Sequence, residues 1–350
     1  MNPEQALPQR VSIDRRQATA SLLLLLVLVA ALFTYKSTTA LDRLREVQST
    51  GVLRVDPNTL FARGASSGTD LLARSSRYLL IVGPALIFGV LVGGAVRAFV
   101  SPSWLLRRFG RGGFREHVAA GVSGAPLMLC SCCVAPVFSA VYERSLSVGP
   151  SLALALAAPS LNPAALAMTF MLFRPPLGMA RLLMALVAVF IVPAIIGGAS
   201  QSVHETREHN RSSEITTTGG VFGRFLRSCG HVAVRTVPVI VLGVMASMWL
   251  VQRFPIDIPP SRPLGTAGLV ALVSLLSVPV ALPTFFEIPL ALTLMAAGAP
   301  AGVAAALLFA GPATNLPSLI TIARTTHWRI AALVAMAVAA VACVGGLLVS

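Results

Sequence analysis

Residues 125–137 read "APLMLCSCCVAPV", and how they are read decides the fold. Three thiols and a hydroxyl, Cys130, Ser131, Cys132 and Cys133, stand between Pro126 and Pro136 in a stretch apolar enough to lie in lipid. Proline inside a membrane helix removes a backbone donor and collides with the turn before it. In hydrocarbon the freed carbonyls must find partners, so a broken helix survives only where protein covers it or water reaches it. The segment therefore predicts a discontinuous or re-entrant helix that lines something.

The feature occurs twice. A shift of 153 residues lays "PLMLCSCCVAP" over "PVALPTFFEIP", so that Pro126 meets Pro279 and Pro136 meets Pro289. In the same register Gly149 meets Gly302, Pro159 meets Pro312 and Asn162 meets Asn315. One residue further, Pro84 and Gly89 meet Pro238 and Gly243. So many co-registered Pro, Gly and Asn positions mark a duplication. Each half also carries a second break, "APSLNP" at Ala158–Pro163 and "GPATNLP" at Gly311–Pro317. Matched interruptions in two repeats point to a transport site near the bilayer midplane.

Bulk composition agrees. Of 350 residues 55% are hydrophobic and 11% charged, far from the roughly one-quarter charged of a soluble domain. Several runs are long enough to cross roughly 30 Å of hydrocarbon as helices. The expected fold class is an all-α polytopic membrane protein with two homologous helical repeats containing broken or re-entrant helices. The expected organisation is an N-terminal anchor helix and polar loop at 1–77, repeat 1 at 78–200, a polar linker at 201–230 and repeat 2 at 231–350. The anchor is expected over the apolar run Thr19–Thr34, with Arg10, Arg15 and Arg16 before it holding the N-terminus in the cytoplasm. The alternative is a cleaved signal peptide, for which "STTALD" offers a small-residue site. Turn signals follow at Asp56-Pro57 and Gly64, and "TTALDRLREVQ" suits a surface helix.

The net charge of +14 does not indicate a nucleic-acid partner, because the arginines flank apolar runs and form no long basic block. The densest group, Arg107, Arg108 and Arg111, marks a cytoplasmic loop. None of the five cysteines lies in a long polar loop, so this is no secreted disulfide framework. Cys229 and Cys343 read as small packing residues. No P-loop is present and Lys36 is the only lysine, so an ion gradient or a partner must supply energy for transport.

Cys130, Ser131, Cys132 and Cys133 are the first substrate-binding candidates. Thiols grouped in one turn make a soft-ligand cluster for thiophilic species, and Cys130, Cys132 and Cys133 are candidate ligands for a soft metal or metalloid. The alternative is that they are small helix-packing residues. Asn162 and Asn315, polar amides at the centres of spans, either face the solute path or cap carbonyls freed by neighbouring prolines. Glu287 is the one acid well inside an apolar run. It is a proton-coupling candidate, or else caps the helix beginning near Ile288. Pro136, Pro159, Pro289 and Pro312 are expected at the hinges that gate the path.

Taken together, "PLMLCSCCVAP", then Gly149, then "PSLNP" resembles the bacterial predicted-permease family that includes the ArsP organoarsenical efflux permeases. The family's hallmark is "P-x-C-S-C-x-x-x-P", a glycine, then "P-x-x-N". The likeness covers roughly residues 78–348. It departs from the commonest form in placing Cys130 four residues after Pro126, and in carrying Pro283, Thr284, Phe285 and Phe286 where a second set of thiols would fall. The resemblance implies a multi-pass permease of the plasma membrane, the bacterial inner membrane, exporting trivalent organoarsenicals in some members through cysteine coordination.

The expected function is a secondary permease that moves a small solute, a thiophilic metalloid or organoarsenical among the candidates, through a site between the repeats. It is expected to be no enzyme and to need no cofactor; its partners are the lipid bilayer and the solute. Two other readings stay open: a membrane thiol–disulfide oxidoreductase using the C-x-x-C at 130–133, and a membrane assembly protein without transport.

Overall fold

The computed structural model describes residues 15–50, 68–100, 104, 113–145, 147–201, 221–253, 265–283 and 285–350. The turn signals at Asp56-Pro57 and Gly64, the cluster Arg107, Arg108 and Arg111, and linker residues 202–220 lie outside them.

Helix α1, Arg15–Thr50, is longer than the apolar run that announces it. No glycine or proline occurs between Thr19 and Thr50, so nothing stops the helix at the polar boundary. "TTALDRLREVQ" is its last part and not a separate element. Helix α2, Gly68–Phe99, likewise starts before its apolar run and continues through Pro84.

The apolar run His117–Val141 is divided between two helices. α3 is Phe114–Gly124, a 3-10 turn covers Ala125–Leu127, and α4 is Ser131–Ser145. The chain is unwound at Met128–Cys130, where Met128 takes a left-handed conformation (φ 49°, ψ 31°). The break therefore precedes Cys130, and α4 runs on through Pro136. Then come α5, Val148–Ser160, and α6, Pro163–Leu172, bent 41° at Leu161-Asn162. α7, Pro175–Leu186, passes through a π-helical turn at Val187–Ile191 into α8, Val192–Gln201.

The second half repeats this order. α9 is Val221–Arg253, α10 Gly265–Ser277, α11 Glu287–Ala296, α12 Ala301–Ala313, α13 Leu316–Thr325 and α14 Trp328–Val349. The bounds of α5 and α6 at 148, 160, 163 and 172 recur 153 residues later at 301, 313, 316 and 325, with a matching bend of 45°. Among the described residues five helices are long and apolar enough to cross a membrane, α7 and α8 counting as one through their π turn, and each bent pair can form one further span. Their outer faces carry exposed apolar side chains such as Leu80, Val234, Leu242 and Leu348, as lipid requires. The chain is an all-α, multi-pass membrane protein.

Each prolines-and-break unit has a local logic. Pro159 and Pro312 fall in the last turns of α5 and α12; Pro163 and Pro317 fall in the first turns of the next helices, where a missing N–H costs nothing. The longer break that opens at Val278–Pro283 leaves more backbone to satisfy. Ser247 of α9, fully buried, donates to the Pro279 carbonyl (3.1 Å) and accepts from the Ala281 N–H (2.7 Å). The Leu316 N–H at the head of α13 donates to the same carbonyl (3.2 Å). One serine and one helix start thus replace the lost helical bonds.

Close approach of α2 to α4 fixes the sulfur-bearing segment. A Cβ on Gly89 would collide with the Cys133 carbonyl oxygen, and one on Gly93 would stand 2.8 Å from that of Pro136. Gly243, the counterpart of Gly89, faces Pro317, where a Cβ would stand 2.7 Å from the proline Cα. Overpacking of this kind costs about 1–3 kcal/mol. Gly89→Ala is therefore expected to lower the thermal midpoint in detergent. Gly83→Ala, on the same helix but facing open space, is expected to leave it unchanged or slightly raised. Equal midpoints for the two variants would contradict the α2–α4 contact.

Candidate functional site

The three thiols come together. Because the chain is unwound before Ser131, Cys130 folds back over the first turn of α4, and its Sγ lies 2.8 Å from that of Cys133 and 3.1 Å from that of Cys132; Cys132 and Cys133 are 3.7 Å apart. All three are buried, and none is in a disulfide. Tyr78 Oη shares a hydrogen bond with Cys132 Sγ (3.5 Å), and Cys133 Sγ donates to the Val82 carbonyl (3.8 Å), so the cluster faces α2. Three sulfurs bound to one soft centre at about 2.3 Å stand about 4 Å apart. Seating one would require Cys130 Sγ to move about 1 Å away from its two neighbours, while the Cys132–Cys133 separation is already close to that value. The donor set is all sulfur.

Ser131 is not part of that face. It lines a cavity of about 10 Å³ with Val134, Ala135 and Phe138, one side of α4, against Thr314, Ser318 and Ile322 of the second repeat. That is the volume of about one water. Ser131 Oγ and Thr314 Oγ1, both buried, have no partner among the described residues. The four consecutive residues read as one site are thus split by helical geometry, sulfurs toward α2 and hydroxyl toward the seam.

Both asparagines cap helices. Asn162 Oδ1 accepts from the N–H groups of Ala164 (3.1 Å) and Ala165 (3.3 Å). Asn315 Oδ1 accepts from Ser318 N–H (3.0 Å), and Ser318 Oγ engages the Asn315 backbone in return. Asn315 Nδ2 is buried and unpartnered among the described residues, so its amide keeps one donor free at the break. Pro136, Pro159, Pro289 and Pro312 sit within helices, Pro289 in the first turn of α11, close to the breaks but not at them.

Glu287 opens α11 and is fully buried. Its Oε1 accepts from Arg181 Nη2 of α7 (2.9 Å), and Arg181 Nη1 donates to Thr169 Oγ1 of α6 (2.6 Å). The pair joins the two repeats, with both side chains about 1% exposed. Arg181 was the residue that sequence reasoning missed; it stands four places inside the run that begins at Leu177 and passes for a flanking charge. Tyr78 and Thr314 were missed as well, because only tertiary packing brings them to Cys132 and Ser131. A second charged group, Glu143 with Arg97 and Arg235 (2.9 Å to the latter), ties α4 to α2 and α9.

Comparison with known proteins gives consistent results. The ArsP_1 family model, described as a predicted permease, matches residues 16–154 and 117–350, two overlapping stretches. The UPF0718 protein YraQ of Escherichia coli K12 is 34% identical over 273 residues, 74% of this chain and 76% of YraQ. The UPF0718 protein MJ0584 of Methanocaldococcus jannaschii is 25% identical over 133 residues, 37% of this chain and 35% of its own. No solved structure matches.

The sulfur geometry is testable with a spectroscopically visible soft ion. Titrating the purified protein with Cd²⁺ is expected to give sulfur-to-cadmium absorbance that saturates near one equivalent and is lost in Cys132→Ser. Cys343→Ser, remote from the cluster, is expected to behave as the native chain. Loss in both variants, or in neither, would contradict a three-sulfur seat.

Proposed function

The chain belongs to the ArsP_1 family of predicted permeases, and from that premise we propose that it is a secondary transporter of the bacterial plasma membrane that moves a small thiophilic solute. Soft metal ions, trivalent metalloids and organoarsenicals make up the candidate class. The observation that carries the reading is the cluster of three buried thiols, none in a disulfide, at the head of a broken helix. A structural role would be met by any small residue, whereas three converging sulfurs offer a soft centre exchangeable bonds.

The broken helices supply the route. In each repeat a helix stops in mid-span and restarts under an asparagine cap, and such breaks let a bundle rearrange around a fixed site. α4 presents its sulfurs to α2 and its hydroxyl to the second repeat. A rotation of that segment would carry a bound centre from one side of the bundle toward the seam. Glu287 is assigned to ion coupling, Asn162 and Asn315 to the ends of the moving segments, and Pro136, Pro159, Pro289 and Pro312 to keeping those segments separable. The second repeat has Phe285 and Phe286 in place of thiols, so a disulfide relay within the chain has no second redox pair to pass electrons to.

The direct test is a tolerance panel in a host stripped of its own metalloid and copper exporters. Arsenite, methylated trivalent arsenicals, copper and unrelated antibiotics are compared with and without Cys132→Ser. The native chain is expected to raise the tolerated concentration of at least one thiophile several-fold, Cys132→Ser to abolish the gain, and antibiotics to show none. Protection retained after Cys132→Ser, or protection against no thiophile, would overturn the reading.

A further inference from the structure

The duplication provides an internal control on the buried ion pair. Moved by 153 residues, Thr169, Arg181 and Glu287 correspond to Ile322, Val334 and Val134. All three counterparts are apolar and buried. The same scaffold is therefore built once with a charged pair and once without, so the fold does not need the charges. Replacing a buried ion pair by packed apolar groups is commonly neutral or stabilising. A duplicated frame that keeps the pair on one side only keeps it for another reason.

The counterpart positions also show what the charges occupy. Val134 and Ile322 line the water-sized cavity at the seam. Their equivalents, Glu287 and Thr169, are the two residues that grip the Arg181 guanidinium. Arg181 thus fills, in one half of the seam, the place left open in the other. Its hold is incomplete. Guanidinium and carboxylate can pair through two parallel hydrogen bonds, yet here only Oε1 is engaged, and Glu287 Oε2 is buried without a partner among the described residues. Ser160, which corresponds to the cavity residue Ala313, also has an unpartnered, buried hydroxyl.

We propose that Arg181 is the receptor for an acidic oxygen on the moved solute, and that Glu287 masks it and is displaced with uptake of one proton. Charge balance requires the proton. An anion that takes over the guanidinium would leave the Glu287 carboxylate unpaired in a low-dielectric interior, which is strongly unfavourable. Protonation of Glu287 at the free oxygen removes that charge, so the site holds one positive and one negative group before and after. The anion and the proton arrive together from the same side, and the Arg181–Glu287 bond closes again when both leave. No other titratable side chain lies on α6, α7, α11 or α12. Of the helices packed against these, α14 on α7 carries Arg329 and Cys343, and α1 on α6 carries Tyr35, Lys36, Asp42, Arg43, Arg45 and Glu46 toward its C-terminal part. This rests on the transporter reading and narrows its cargo, from thiophiles in general to those bearing an ionisable oxygen. A planar, permanently charged guanidinium is the side chain best suited to such a group.

The test uses the purified full-length chain in lightly buffered detergent solution with a pH-indicating dye. Formate, nitrate, sulfite and inorganic phosphate are added in turn at matched pH. At least one anion is expected to draw about one proton per protein, and Glu287→Gln is expected to abolish the uptake. The combined variant Thr169→Ile, Arg181→Val, Glu287→Val reproduces the arrangement of the other repeat; it is expected to fold with a thermal midpoint near that of the native chain and to take up no proton. Cd²⁺ titration of the same samples reports the thiol site separately. Proton uptake with none of the anions, or uptake that survives Glu287→Gln, overturns the proposal. Normal Cd²⁺ binding in that case leaves the thiophile reading standing, and failed Cd²⁺ binding beside normal proton uptake removes the thiophile alone.

Discussion

Every feature of this chain that bears on function follows from one constraint: backbone polar groups in hydrocarbon must be paired within the protein. An unbroken helix meets the constraint by itself and can face lipid, as the outer sides of α1, α2, α9 and α14 do. A broken helix cannot, and must be enclosed. Among the described residues the interruptions at Met128–Cys130, Leu161-Asn162, Val278–Pro283 with Phe285-Phe286, and Thr314-Asn315 are therefore wrapped by the rest of the bundle. Groups of the last three are recovered through Asn162, Asn315, Ser318, Ser247 and the head of α13, and the Cys130 carbonyl at the first accepts from the Cys133 and Val134 N–H groups of α4. The breaks define the interior, and the interior holds the thiols, the cavity and the ion pair.

A duplicated scaffold makes departures from symmetry informative. Where the halves agree, in the bounds of α5–α6 and α12–α13 and in the asparagine caps, the shared feature belongs to the architecture. Where they differ, chemistry has been added. The first repeat carries Cys130, Cys132 and Cys133 where the second has Pro283, Phe285 and Phe286, and it carries Arg181 where the second has Val334. Glu287, from the second repeat, completes the pair across the seam. The thiols face α2, whereas the ion pair links α7 to α11.

Much of this was legible in the sequence, for physical reasons. Proline and glycine spacing is strictly local, so the duplication, the breaks and the membrane-spanning character could be read directly from Pro126, Pro279, Asn162 and Asn315. Helix ends were harder. α1 runs to Thr50 because helix formers continue past the apolar run, and hydropathy does not register that. The direction of side chains around α4 was not legible at all: four adjacent residues looked like one site, while a turn of 100° per residue sends Ser131 one way and the sulfurs the other. Arg181 stayed hidden for a similar reason. Its partner is 106 residues away, and an arginine near the end of a run normally marks the membrane surface. The sequence predicted that the asparagines either line the path or cap carbonyls freed by the prolines; in the structure each instead caps the backbone N–H groups of the helix that restarts, through its Oδ1.

The central claim is that the two repeats meet where α4 and α13 begin, enclosing unpartnered polar groups. Disulfide trapping tests it most directly. With the five native cysteines replaced by serine, Ser131→Cys and Thr314→Cys are introduced together and the chain is oxidised in native membranes. The account predicts a cross-link between residues 131 and 314, detected by mass spectrometry, and none between 131 and the lipid-facing control Val234→Cys. Failure of the 131–314 pair to link, with both thiols shown to be present and reduced beforehand, would contradict it.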